Sequence, residues 1–433
     1  MKFFYILLLL LLVGCGENSK NSKQTSYKYD DIFISNIKCE YNNSALNYLN
    51  CLRNLSGEVN LSINNALNKA AYNHSLYMYE NNETGHYEDS NKPYFTGETP
   101  SKRALKEGYN YKGVIENVST NQLSYQDSID SLFSAIYHRF GFLSLEIDEI
   151  GLANNNNFYT YDMGNSKLNE RCLEKSFDGS GEYYINVCKD ENKKIEKSDF
   201  LSRKNYLKNS YPSLIVWPAV NSDNILPAFF EETPDPLPDY KVSGYPVSVE
   251  FNDKKIDSVS VIDFNITDDN NHSLTLIKLM DKENDINHEF TPYQFAIFPK
   301  RRLDWGERYF VNLKYVVNKQ EYVKRWCFSV RSLSRYKVKR VYKIKNQSSL
   351  DIVSGVEYAL YFVPKDGNDT IKSYSISYNA NSVDTSFIDS NTLKIKVDGN
   401  IGEYVKIHFN NKTLTLTINY SDNASYPLDK KCN

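Results

Sequence analysis

No two cysteines in this chain of 433 residues stand in a Cys-x-x-Cys pair, which argues against a structural zinc site of that type. No Gly-x-Ser-x-Gly elbow occurs either, so no activated serine announces itself. Basic residues form no recurring stripe and the net charge is only −3, which excludes the electrostatic footprint of a nucleic-acid binder. No apolar run is long enough to remain as a membrane span: the N-terminal one, Phe3 to Val13, rises about 16 Å as a helix against ~30 Å of hydrocarbon. No chain of equal repeats is visible. What is present is a hydrophobic content of 41%, enough for packed domains rather than disorder. At roughly 150 residues per domain the length predicts about three of them.

The short apolar run reads as the core of a secretory signal. It ends in "LVGC", Leu12 to Cys15, which resembles a bacterial lipobox. That resemblance implies cleavage before Cys15, with lipid on its thiol and new amino group. Several acyl chains at ~0.8 kcal/mol per buried methylene anchor stably where one does not. A plain signal peptide with a chance cysteine is the alternative. Residues 1–14 are thus expected to be removed. Residues 15–35, rich in Ser, Asn, Lys and Gln, are expected to tether the folded body to the membrane. Gly16 after the cysteine favours the outer membrane or cell surface. Six cysteines remain, Cys39, Cys51, Cys172, Cys188, Cys327 and Cys432. Export makes pairing the expectation, but six allow fifteen connectivities. Cys39–Cys51 and Cys172–Cys188 would close local loops, and Cys327–Cys432 a long one.

Residues 36–204 read as mixed helix and sheet with a C-terminal hairpin extension. Leu67, Ala71, His74 and Met78 fall at helical steps. "SKRALKEGY" offers Ser101 as a cap and Gly108 as a stop. "YQDSIDSLFSAIYHRFGFL" predicts one long helix carrying Ile129, Leu132, Phe133, Ile136 and Tyr137, capped by Asp127 or Ser128. "EIGLA" and "NFYTYDMG" predict strands. Beyond residue 204 the pattern changes to short alternating runs with polar turns, predicting an immunoglobulin-like β-sandwich over 205–332 and a second β-sandwich over 333–433. The run "FFEETPDPLPDY" has three prolines, Pro234, Pro236 and Pro238, and reads as a rigid extended loop at the start of the first sandwich.

Four stretches of the first domain stand in order: "AAYNHSLYM", "ETGHYEDS", "RALKEGYNYKGVIENVS" and "AIYHRFGFLSLEIDEIGL". Together they resemble bacterial members of the CAP superfamily, the cysteine-rich secretory, antigen 5 and pathogenesis-related proteins, over roughly residues 45 to 165. The resemblance implies an α-β-α sandwich with a cleft that gathers histidines and acids. By motif, His86 and His138 match its two histidines and Glu116 matches its first glutamate. Arg103 and Tyr109 match structural positions. The family's second acid falls near Ala135, where this chain departs from the pattern, and Asp130 is the candidate substitute. Ile115 also replaces a glycine.

Two imidazoles and a carboxylate can hold a divalent ion such as Zn²⁺. They can equally bind a small ligand, activate water, or serve only as a polar network that fixes the fold. The resemblance implies lipid, sterol-like or envelope partners more than catalysis. A cleft that binds a metal, ligand or envelope partner is therefore the first expectation, and a hydrolase acting on envelope or host peptides the second. His74, on the apolar face of its helix, is expected to be a core histidine. Arg139 is expected to pair with a carboxylate or carbonyl. His272, His288 and His408 are expected to be exposed.

Overall fold

The computed structural model describes residues 33–35, 37–40 and 42–432, so the lipobox cysteine Cys15 and most of the expected tether lie outside the described residues. The first unit runs through α1 (Ala45–Leu55), β1 (Ser62–Ile63), α2 (Asn65–Asn81), α3 (Pro100–Lys106), β2 (Ile115–Thr120), α4 (Tyr125–Ser134), α5 (Ile136–Phe142), β3 (Glu149–Asn155) and β4 (Phe158–Gly164). Its four strands form one sheet in the order β1-β3-β4-β2, with β1 parallel to β3 and the other pairs antiparallel. β2 is therefore an edge strand.

Alternation along the strands sends successive side chains to opposite faces. Ile150, Tyr159, Tyr161 and Met163 pack with Leu49 of α1, Ile129 and Phe133 of α4 and Phe142 of α5. The intervening positions meet α2. At Gly151 the approach is so close that a Cβ would stand 2.0 Å from the Leu67 carbonyl carbon of α2. Helices thus cover both faces, giving the α-β-α layering that the resemblance implied.

Local chemistry sets the helix ends. Asn64 caps α2 by accepting from the N–H groups of Ala66 and Leu67. α3 is capped by Thr99, with Pro100 at its first position, rather than by Ser101. Gly108 follows with a φ of +103°, the left-handed stop that glycine accommodates. The long helix expected over 125–143 is two helices. Ser124 caps α4, not Asp127 or Ser128, and Ala135 between α4 and α5 is extended at φ −83°, ψ 121°.

α6 (Ser166–Arg171) leads to a small hairpin of β5 (Tyr183–Tyr184) and β6 (Ile195–Glu196), then α7 (Lys197–Lys204). From there the described chain is largely β. β7 (Leu214–Trp217), β10 (Val247–Phe251), β12 (Leu276–Met280) and β13 (Gln294–Pro299) form a sheet in the order β12-β13-β10-β7. β11 (Val259–Thr267), β14 (Arg308–Val317) and β15 (Gln320–Ser329) form another, and β8 (Ala228–Phe229) pairs with β9 (Ser243–Gly244). The last part has two four-stranded sheets. One contains β16 (Arg340–Ile344), β18 (Glu357–Phe362), β20 (Ser382–Asp389) and β21 (Thr392–Asp398); the other contains β17 (Ser349–Ile352), β19 (Ser375–Tyr378), β22 (Tyr404–Phe409) and β23 (Lys412–Ile418). These two share a core that includes Leu360, Ile395, Ile407 and Leu416.

One apolar core runs from Ala45 of α1 to Val330 beyond β15. The helical unit and the first β-region are therefore fused through a common interior; the Phe133 ring lies 4.6 Å from that of Trp217. Three disulfides, Cys39–Cys51, Cys172–Cys188 and Cys327–Cys432, complete the fold, two closing local loops and one a long loop.

Candidate functional site

Glu116, near the start of edge strand β2, is the centre of a buried charged network. Its Oε1 lies 3.0 Å from His86 Nδ1, and its Oε2 accepts a hydrogen bond from Arg103 Nη2 at 2.5 Å. Arg103, fully buried on α3, also donates to the carbonyls of His86 and Gly97. The same guanidinium thus fixes both the glutamate and the loop that carries the histidine. Burial drives the Glu116 carboxyl up. The charge of His74, the hydrogen bond from His86 and the Arg103 guanidinium outweigh it and hold the group down at about 2.

His74 is a core histidine, as expected, but one with a task. It is fully buried, with Nδ1 3.0 Å from Glu88 Oε1 and Nε2 2.8 Å from the Gly85 carbonyl. Both ring nitrogens face oxygen atoms. The ring therefore pins the residue that precedes His86, and it stands 3.9 Å from Glu116 Oε1. Glu88 also takes N–H bonds from Thr96 and Gly97. Asp162, opposite Glu116 on β4, is fully buried. Burial first, and the Glu116 charge second, push its carboxyl well above the usual range.

His138, on the first turn of α5, brings its ring to 6.2 Å from that of His86, 26° from parallel. Its carbonyl accepts from Asn117 Nδ2 of β2 at 2.8 Å, tying α5 to the sheet edge. The three residues chosen from sequence, His86, Glu116 and His138, are therefore brought together. Asp130 is not among them. It accepts from Arg331 Nη2 at 2.5 Å and from the Tyr48 hydroxyl at 2.6 Å, and neither of these bonds joins it to a histidine. The acid beside His138 is Glu232, whose Oε2 lies 2.9 Å from His138 Nδ1. Sequence reasoning missed it, because it lies 94 residues downstream in the proline-rich run. The only signal there was a pair of glutamates next to buried Phe229.

Arg139, next to His138, points the opposite way. It is fully buried, donates to the Phe133 carbonyl at 2.7 Å and Ser248 Oγ at 2.9 Å, and covers the Tyr245 ring at 4.8 Å. It pairs with a carbonyl, as expected. Tyr109 donates to Glu149 Oε1 at 2.5 Å in a structural contact. His272, His288 and His408 are exposed.

Residues 46–163 match the family model described as CAP, the cysteine-rich secretory protein family. The first unit is a CAP domain. Among solved structures, an extracellular protein of Bacillus anthracis containing an SCP domain is similar at 18% identity and a TM-score of 0.26, over 28% of this chain and 38% of that one. An outer surface protein of Borrelia burgdorferi is similar at 18% identity and a TM-score of 0.24, over 27% of this chain and 85% of that one. A search of curated proteins finds no match.

The CAP domain's histidine pair lies at the surface. His86 is one-third exposed at its side chain and His138 about one-tenth. A cavity of about 460 Å³ adjoins the same helix, lined by Tyr137, Phe140, Glu250 and Gln294 among others, and neither histidine lines it. Each histidine presents Nδ1 to a carboxylate, which leaves Nε2 as the nitrogen not engaged by that acid. A carboxylate behind an imidazole is the arrangement that orients a metal-binding histidine. Among the described residues no group of three or more His, Cys, Asp or Glu side chains is placed to hold one ion. Two imidazoles alone are fewer ligands than a closed structural zinc site uses.

Proposed function

We propose that this chain is an exported CAP-domain protein whose cleft binds a divalent ion or a small ligand through His86 and His138. One observation carries the reading: two near-parallel imidazoles, 6.2 Å apart, each backed at Nδ1 by a carboxylate. This polarity makes each Nε2 a lone-pair donor to a metal, or an acceptor for a hydroxyl or amide of a ligand. Envelope, lipid or sterol-like ligands would dock over the same pair.

Three disulfides favour an oxidising compartment, and with the apolar run before Cys15 they support export. In this reading residues 1–14 are removed and lipid on Cys15 anchors the chain to the outer membrane or cell surface through a tether to residue 35. The CAP domain spans 36–204. Immunoglobulin-like sandwiches over 205–332 and 333–433 act as spacer or interaction surface.

In a hydrolase Glu116 would act either as the base or as the group that orients a histidine base. Held at about 2 and bonded to Arg103, that carboxylate is a weak proton acceptor, which speaks against the first of these roles and supports the binding reading. The test is calorimetric titration of the full chain with Zn²⁺ and Ni²⁺, beside the variant carrying both His86→Ala and His138→Ala. Binding by the parent and its loss in a folded double variant are expected. No ion uptake by the parent, or a double variant that does not fold, would turn the pair into a structural network. Mass spectrometry of the Cys15 peptide from native membranes tests the anchor.

A further inference from the structure

We infer that Glu232 is the fourth residue of the cleft: a positioning residue contributed from outside the CAP domain, which sets the ring and tautomer of His138. The inference rests on the binding reading above only where ion affinity is the readout.

At the position where the resemblance places an acid, Ala135 packs its methyl among Ile136, Phe229, Leu237 and Phe290. Three other acids of the first unit are already engaged. Asp130 faces Arg331, Glu88 holds His74, and Glu116 serves His86. Glu232 reaches α5 from the proline-rich run with a side chain only 1% exposed. Oε1 accepts from the Ile136 N–H at 2.6 Å. Oε2 accepts from the Tyr137 N–H at 3.1 Å and faces His138 Nδ1 at 2.9 Å. α5 has no side-chain cap of its own, so one carboxylate both satisfies the start of the helix and orients its histidine.

The carboxylate is itself held in place. On either side of it Phe229 and Leu237 are buried in the cluster that contains Ile136. The Asp235 carbonyl accepts from Asn287 Nδ2 at 2.9 Å, and the same amide donates to the Tyr137 hydroxyl. Glu231, the neighbouring acid, pairs instead with exposed Lys241. In a neutral imidazole a carboxylate at Nδ1 keeps the hydrogen on that nitrogen and leaves Nε2 with its lone pair. The two histidines are thus served by two acids from different parts of the fold, Glu116 from the CAP sheet and Glu232 from the β-region. The cleft is complete only when the β-region is docked.

Nitrogen-15 NMR of the histidine side chains in the full chain tests this directly, with His138 assigned by its loss in His138→Gln. In its neutral form the His138 ring of the parent should show hydrogen on Nδ1 and Nε2 unprotonated. In Glu232→Gln the populations should move toward Nε2–H, and Zn²⁺ affinity should fall about tenfold or more. Glu232→Asp, which keeps the charge but shortens the reach, should lie between. His86 signals should stay in place in both variants. A parent whose neutral His138 ring carries its hydrogen on Nε2 and not Nδ1 overturns the inference without any variant. Unchanged tautomer and affinity in a folded Glu232→Gln would reduce Glu232 to a staple on the helix end. A parent that binds no Zn²⁺ would sink the binding reading alone, since the tautomer shift would still report on Glu232.

Discussion

Asp130 of α4 and Arg331, just past β15, are 201 residues apart in the chain and 2.5 Å apart in space. Both side chains are nearly buried, and the pair is extended by the Tyr48 hydroxyl on one end and Asn224 Oδ1 on the other. The pair locks the helical unit to the β-region at a contact separate from that of Glu232.

Removing one partner of such a pair leaves the other charge buried without compensation. Asp130→Ala should therefore cost about 3–5 kcal/mol, with the denaturant midpoint of the full chain falling accordingly. Asp130→Leu combined with Arg331→Met should cost less than either single change, because no lone charge remains. A double variant as unstable as the sum of the singles would show that the contact is not what couples the two groups.

The contact of Gly151 with α2 is the second sensitive point. A methyl there meets the helix backbone, not the end of a flexible side chain, so α2 must move away from the sheet. Gly151→Ala is expected to cost at least about 1–3 kcal/mol, typical of overpacking. Because α2 carries His74, the shift should also loosen the Gly85–His86 loop and weaken ion uptake. A thermal melt and a Zn²⁺ titration on the same sample check both effects.

Stability should also fall as pH rises toward 8. Burial is the main cause that lifts the Glu250 carboxyl to about 8, against hydrogen bonding from Gln294 and the charge of Lys208. In the unfolded chain the same group titrates near ~4.3. Between those values the folded chain holds a proton that the unfolded chain has released, so this contribution is full below ~4.3 and is lost progressively up to about 8. Glu250→Gln should flatten that slope in denaturation curves taken from pH 5 to 8. A slope unchanged by the substitution would assign the effect to other groups.

Much of this was legible from residue order alone. Period-two runs marked β3 and β4, and the ordered histidine and glutamate motifs brought His86, Glu116 and His138 to one place. What was not legible has a common cause. The break at Ala135 is invisible to helical periodicity, since Ile136 and Tyr137 continue the apolar pattern of Ile129 and Phe133; the groups that hold the new helix start are on Glu232. Asp130 looked available because the Arg331 that occupies it lies 201 residues further on. Local propensity describes a segment, whereas these contacts are set by tertiary docking across a shared core. Glu232 also sits among prolines, a composition that describes path stiffness and says nothing of where one carboxylate points.

The chain's last residues return to the first β-region. Cys432 is bonded to Cys327 of β15, while Lys430 reaches Glu307 and Asp269 and its N–H bonds the Gly306 carbonyl. The final pair of sheets, from β16 to β23, is therefore a closed excursion whose entrance and exit are joined covalently. Tension between the helical unit and residue 432 would run through the sulfur bridge and bypass those sheets, leaving them slack while the rest of the molecule carried the load.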